Sequence, residues 1–122
     1  MAHSHADSIL STHMLDTVKG GPAVGVAVEL WRLEGGEAAL VNRAVTDADG
    51  RADTPLLPPA EFVPGVYELR FHVGAYFAAS GVAAEPPYLD VVPVRVGLSA
   101  AGGHYHVPLL CSPWSYTTYR GS

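Results

Sequence analysis

Two histidines stand one residue apart in the segment HYHVPLL near the end of the chain, at His104 and His106. Alternate side chains of a β-strand point to opposite faces, so both histidines share a face with Pro108 and Leu110. The opposite face has the character of a protein core, with Tyr105, Val107 and Leu109. Histidine exchanges protons near neutral pH, because its ordinary pKa is about 6.5. The pattern predicts two proton-exchanging side chains on the outer face of a sheet.

Other interpretations of these histidines stay open at this point. A histidine on a strand also serves purely structural purposes, and the HxH spacing suits two metal ligands on one strand face. The sequence supplies no recognisable third ligand, so we predict neither a metal nor a cofactor. His3 and His5 fall in residues 1–8, which we predict to be a flexible N-terminal arm and not a metal site.

His13 and Arg51 are two further candidates. His13, in ILSTHMLD, shares its strand parity with Ser11 and Leu15 and is a polar break in an apolar strand. Arg51 follows the Asp-Gly turn of DADGR, so its permanently charged guanidinium can project from the end of the domain as a fixed cation. The alternative for an arginine after a turn is a solvated surface charge.

The chain ends on SPWSYTTYRGS, where hydroxyl and aromatic side chains continue to the last residue. Alternation over residues 115–120 predicts a final strand, and the tight CSPW connection predicts that it returns antiparallel to the preceding one. Residues Tyr119 to Ser122 would then lie close to His104 and His106. A packing or interface role for Tyr119 is the alternative to a substrate contact.

Further apolar alternation predicts the strands that must position these residues. The core faces are expected to carry Val24, Val26, Val28 and Leu30 in one strand, Tyr67, Leu69, Phe71 and Val73 in another, and Val92, Val94, Val96 and Leu98 in a third. Pro93 indicates that the third is an edge strand or contains a bulge, because proline cannot donate to a sheet ladder.

The whole pattern predicts an all-β fold. Glycine-rich turn signals separate the strands, and VGAYFAAS, residues 73–80, predicts one short helix. Seven or eight strands and one helix indicate a two-sheet Greek-key β-sandwich in a single domain over residues 9–122.

Composition excludes several classes of function. A net charge of −5 leaves no basic surface for nucleic acid, and we predict no membrane partner because no apolar run of transmembrane length occurs. The first residues do not resemble a secretory signal, so we expect a cytoplasmic protein. The single cysteine, Cys111, is predicted to be a small buried hydrophobe.

Three segments, LSTHMLDTVKGGPAVGVAVEL, TDADGR and HYHVPLLCSPWSYTTYRGS, resemble the 5-hydroxyisourate hydrolases of the transthyretin-like family. The terminal YRGS is the most specific element, since hormone-carrying transthyretins continue past this point with a different ending. The histidine of STHMLD is equally specific, because transthyretin has lysine there. Cys111 departs from the leucine usual in the family, and its core-facing parity predicts little functional effect.

The resemblance implies a transthyretin (prealbumin)-like sandwich that assembles as a homotetramer with active sites at the dimer–dimer interface. It implies that the catalytic residues are His13, Arg51, His106 and Ser122, and that His13, Arg51 and Tyr119 bind the substrate. No metal or cofactor belongs to this set.

The reaction implied is hydrolysis of 5-hydroxyisourate to 2-oxo-4-hydroxy-4-carboxy-5-ureidoimidazoline in urate and purine catabolism. A histidine would activate water, and the arginine would stabilise the substrate as charge develops. The main alternative is a non-catalytic, transthyretin-like carrier of a small ligand, and a purely structural sandwich is a third class. His13 in place of lysine and the ending at Ser122 favour the hydrolase.

Overall fold

A computed structural model describes residues 8–82 and 84–121 and shows a sandwich of two four-stranded sheets. The strands are β1 (Ile9–Asp16), β2 (Gly21–Pro22), β3 (Ala27–Glu34), β4 (Glu37–Val45), β5 (Gly65–Phe71), β6 (Val92–Leu98), β7 (His104–Cys111) and β8 (Tyr116–Thr118). One α-helix, α1 (Val73–Ala79), follows β5, and a single 3₁₀ turn spans Pro59–Glu61. Of the predicted N-terminal arm, Ser8 is described; it is buried, and its Oγ accepts a hydrogen bond from the Gly103 N–H.

The first sheet has the strand order β2-β1-β7-β8, and the second has the order β4-β3-β5-β6. β1 and β7 run parallel, whereas the other pairs are antiparallel. This architecture confirms the predicted two-sheet sandwich with one short helix. β6 stands at an end of its sheet, as the position of Pro93 predicted.

The core lies between the two sheets and contains the predicted inward faces. Its members from the predicted faces include Val26, Val28, Leu30, Tyr67, Leu69, Phe71, Val92, Val107 and Leu109, each at most 5% exposed. The prediction for Val24 is wrong, because this side chain is 48% exposed. Gly25 adopts a left-handed φ of 84° directly after it, so the strand begins only at Ala27. Cys111 is a free, fully buried thiol, as predicted.

Helix α1 is tied to the end of β1 through a buried carboxylate. The Tyr76 hydroxyl donates to Asp16 Oδ2 at 2.7 Å, and Asp16 Oδ1 accepts the N–H groups of Val18 and Lys19. Burial, together with the bond to Asp16, raises the pKa of Tyr76 to about 12. A single carboxylate therefore fixes the turn after β1 and the position of the helix.

A groove of about 440 Å³ runs between β6 and β8, and residues of β7 line it as well.

No helix within the described ranges has the length and apolar character needed to cross a membrane, since α1 has seven residues.

Candidate active site

The site is built on the pairing of β1 with β7. Their parallel register sets Ser11 directly beside His106, and both side chains project from the outward surface of the first sheet. The Ser11 hydroxyl lies 2.8 Å from Nδ1 of His106. This outward surface, carrying Ser11, His13 and His106, is called the site face below.

His13 occupies the next outward position along β1 after Ser11. The ring centroids of His13 and His106 are 6.4 Å apart, so one water molecule or substrate atom can reach both imidazoles. Nε2 of His13 lies 2.9 Å from the backbone carbonyl of Asp49. Because a carbonyl only accepts hydrogen bonds, Nε2 carries the proton, and Nδ1 of neutral His13 is left as an acceptor.

The DADGR loop delivers Arg51 to the same place. The Asp47 carboxylate accepts the backbone N–H groups of Asp49 and Arg51, which closes the loop. The Gly50 carbonyl accepts a hydrogen bond from the N–H of Met14 at 2.8 Å. The backbone of Arg51 forms an antiparallel β-bridge with that of His13, so the loop docks on β1. Gly50 has a φ of 77°, and an added Cβ would clash with the Met14 carbonyl.

The electrostatics of the site keep His106 neutral. Burial lowers the pKa of His106 most, the charge of Arg51 lowers it further, and the protonated form of His13 acts in the same direction. Each effect disfavours the imidazolium form. The ring is therefore unprotonated near pH 7 and able to accept a proton.

The C-terminal strand returns antiparallel to β7, as predicted, and brings the last described residues to His106. The Gly121 N–H donates to the backbone carbonyl of His106 at 2.7 Å. A Cβ added at Gly121 would lie 2.7 Å from Cδ2 of the His106 ring, so glycine is required for this close approach. Arg120 secures the segment, since its guanidinium stacks 4.2 Å above the ring of Tyr105 and donates to the His104 carbonyl.

The structure thus brings three predicted residues together, His13, Arg51 and His106. Tyr119 is 59% exposed and lies along the groove between β6 and β8, and Ser122 lies outside the described residues, as do His3 and His5. His104 is exposed. Within the described ranges, no three histidine, cysteine, aspartate or glutamate side chains lie close enough to hold a metal ion.

Sequence reasoning missed the parts played by Ser11, Asp49 and Gly121. Ser11 was noted only for sharing the parity of His13, and its partner lies 95 positions away along the chain. Strand parity indicates the face on which a side chain lies, but the register between two distant strands decides which side chain it meets.

Two packed four-stranded sheets, a short helix after β5, and a base-bearing site on the outside of one sheet define the class of transthyretin-like sandwich proteins. The chain belongs to the HIUase/Transthyretin family, whose model matches residues 10–121.

Individual relatives support this membership. A 5-hydroxyisourate hydrolase of Halalkalibacterium halodurans is 56% identical over 115 residues, covering 93% of this chain and 97% of that relative. A solved (S)-allantoin synthase has a TM-score of 0.85 and 46% identity, and the match covers 93% of this chain but 43% of that chain. Sea bream transthyretin, solved in complex with thyroxine, has a TM-score of 0.83 and 34% identity over 92% of this chain and 93% of that one.

Proposed function

We propose that this protein hydrolyses 5-hydroxyisourate to 2-oxo-4-hydroxy-4-carboxy-5-ureidoimidazoline. The observation that carries the proposal is the convergence of His13, His106 and Arg51 on one face, where burial and the neighbouring charges lower the pKa of His106. The chain is 56% identical to a relative named for this activity and 34% identical to a thyroxine-binding transthyretin. The hydrolase is therefore favoured over the carrier.

His106 is the general base of the proposed mechanism. Hydrolysis requires that water lose a proton as its oxygen attacks a ring carbonyl carbon, and a neutral imidazole accepts that proton. The ring C–N bond then breaks, and the departing nitrogen takes a proton back from the imidazolium. His106 returns to its neutral form, and the new carboxylic acid releases its remaining proton to solvent at neutral pH to give the carboxylate. His13 assists through Nδ1, the nitrogen that accepts a hydrogen bond from water or substrate.

Arg51 stabilises the negative charge that develops on the carbonyl oxygen. Its guanidinium is always charged and offers paired N–H donors to a planar, polar ring. The proximity of this charge is supported by its effect on His106, whose pKa it lowers. The same cation thus adds to the effect of burial in favouring the unprotonated base, and it stabilises the oxyanion.

The C-terminal residues complete the proposed site. Tyr119 contacts the substrate ring, and Ser122 orients a histidine or the attacking water through its hydroxyl or its carboxylate. The support is that Gly121, which lies between these two residues in the sequence, donates its N–H to the backbone carbonyl of His106.

A homotetramer is proposed as the working assembly, with the active sites at the dimer–dimer interface. In one chain the site face is an open surface, and Arg51 is exposed there. A second copy would cover this face and reduce its exposure to bulk water, which would strengthen the electrostatic interactions of Arg51 with the substrate. The predicted cytoplasmic location stays a prediction.

The experiment that tests the function follows the ultraviolet absorbance of 5-hydroxyisourate freshly generated from urate. We expect the purified protein to accelerate its decay well above the spontaneous rate. A decay that remains at the spontaneous rate in the presence of folded protein would rule out the hydrolase.

His106→Ala tests the proposed base in the same assay. Loss of the base is expected to reduce the rate by roughly 10²- to 10⁴-fold. Ser80→Ala is the matched control, because it removes a small polar group at the end of α1, outside the site face. Full activity of a folded His106→Ala variant would remove His106 from this role.

A further inference from the structure

Ser11 makes a contact that the proposed mechanism has not used. Its hydroxyl lies 2.8 Å from Nδ1 of His106, and the parallel register of β1 and β7 fixes this pairing. Water can satisfy a hydroxyl on an outward strand face, so folding does not require this bond. Among the described residues, Ser11 is the only hydrogen-bond partner of the His106 ring.

We propose that Ser11 is a positioning residue that accepts a hydrogen bond from Nδ1–H of His106, so that Nε2 is the nitrogen left to take the proton from water. The inference deepens the proposed function and rests on it, because it assigns the atom at which the proposed base acts.

Proton balance determines the direction of this bond. A base that has taken a proton is an imidazolium with two N–H donors, so its neighbour at Nδ1 must then accept. If Ser11 already accepts from Nδ1–H in the neutral state, the bond persists through the reaction. If Ser11 donated, its hydroxyl would have to rotate during every turnover. An accepting Ser11 is preorganised for proton uptake.

The other groups around His106 do not compete for Nδ1. His13 faces it from β1 at a ring-centroid distance of 6.4 Å, and its Nε2 is engaged by the Asp49 carbonyl. Arg51, from the DADGR loop, acts as a positive charge on the ring and carries no acceptor. Gly121 has no side chain that could accept a hydrogen bond, and its N–H donates to the backbone carbonyl of His106. Among these groups, Ser11 is placed to select the tautomer.

The test compares wild type, Ser11→Ala and Ser11→Thr by NMR of ¹⁵N-labelled histidine and by steady-state kinetics. In the wild type, Nε2 of His106 should give the unprotonated nitrogen signal at neutral pH. In Ser11→Ala this preference should be lost, and the His106 pKa should fall, because the imidazolium loses an acceptor. The value of kcat should fall about tenfold with a smaller change in KM. Ser11→Thr keeps a hydroxyl on a β-strand and should restore the wild-type tautomer and most of kcat.

Ser80→Ala serves again as a control and should leave the His106 signals unchanged. A wild-type tautomer, titration and kcat in Ser11→Ala would overturn the proposal, as would an unprotonated Nδ1 in the wild type. The NMR signals are measured without substrate. If the wild-type protein leaves 5-hydroxyisourate untouched while the tautomer behaves as expected, the proposed function fails and the hydrogen-bond assignment stands.

Discussion

The chemistry of the site depends on the protonation state of one imidazole. Burial of His106 and the nearby positive charge of Arg51 both act against its imidazolium form, and burial is the larger effect. His13 adds a third contribution of the same sign. A base that must work near pH 7 benefits from this bias, because a lowered pKa increases the unprotonated fraction.

The pH dependence of activity should reflect this lowered pKa. Since the neutral form is active, kcat/KM should rise with pH through the His106 pKa and level off, with the acidic limb below the ordinary histidine value of about 6.5. In Arg51→Gln, NMR titration should show the His106 pKa shifted upward, because a positive charge is gone. An acidic limb above the ordinary value in the wild type would contradict this account.

The absence of a side chain at Gly121 is equally specific. Its φ lies outside the left-handed region, so alanine suits the backbone, but the new Cβ would press on the His106 ring at 2.7 Å. We expect Gly121→Ala to fold normally and to lose roughly 10- to 100-fold in kcat, since a small misplacement of the base is costly. Gly21→Ala is the matched control, because its added Cβ meets open space. Equal activity of the two variants would show that the ring has room to adjust.

At the level of elements, β1 organises the molecule. It carries Ser11 and His13 outward, pairs with β7 through eight registered positions, and receives the DADGR loop through Met14 and His13. Its last residue, the buried Asp16, anchors α1 through Tyr76. β1 therefore contributes to both stability and site geometry, but through different residues: Asp16 anchors the helix, whereas Ser11 and His13 belong to the site face.

Removal of the Tyr76 hydroxyl should therefore affect stability and spare the site. Tyr76→Phe leaves one oxygen of the buried Asp16 carboxylate without its donor, which should lower the free energy of unfolding by roughly 1–3 kcal/mol. Tyr88→Phe is the control, since that side chain is 72% exposed. Urea denaturation measures both variants, and equal midpoints would show that the Asp16 bond does not stabilise the fold.

At the scale of the whole molecule, one chain leaves apolar aromatic surface uncovered. Trp114, in the turn between β7 and β8, is 57% exposed and lies beside the ring of Tyr88. Exposed aromatic side chains of this kind are typical of contact surfaces between subunits. The surface is consistent with the proposed tetramer.

Light scattering on the protein as it elutes from a size-exclusion column should give a mass about four times that of one chain. Trp114→Glu is expected to yield smaller assemblies with reduced activity, because a charge would be buried in the interface. Circular dichroism checks that the variant remains folded. A fully active monomer in the wild type would contradict the tetramer.

The sequence by itself determined the local properties of this protein. Alternation identified the core faces of β3, β5, β6 and β7, because side-chain direction follows from position along a strand. The lack of alternation over residues 73–80 indicated the helix, and the tight CSPW connection indicated the antiparallel return of the last strand. Motif resemblance selected His13, Arg51 and His106, which the structure brings to one place. The failure at Val24 came from Gly25, whose backbone conformation the alternation did not reveal.

Tertiary structure alone decided which distant groups touch. Strand register and loop docking determine three such contacts. Ser11 contacts His106, the Asp49 carbonyl binds His13, and Gly121 stands where a side chain would meet the His106 imidazole. These are properties of pairs far apart along the chain, and a pattern read along one strand specifies a face but not a partner. The identities of the reactive groups were therefore readable from the sequence, whereas their protonation and orientation required the fold.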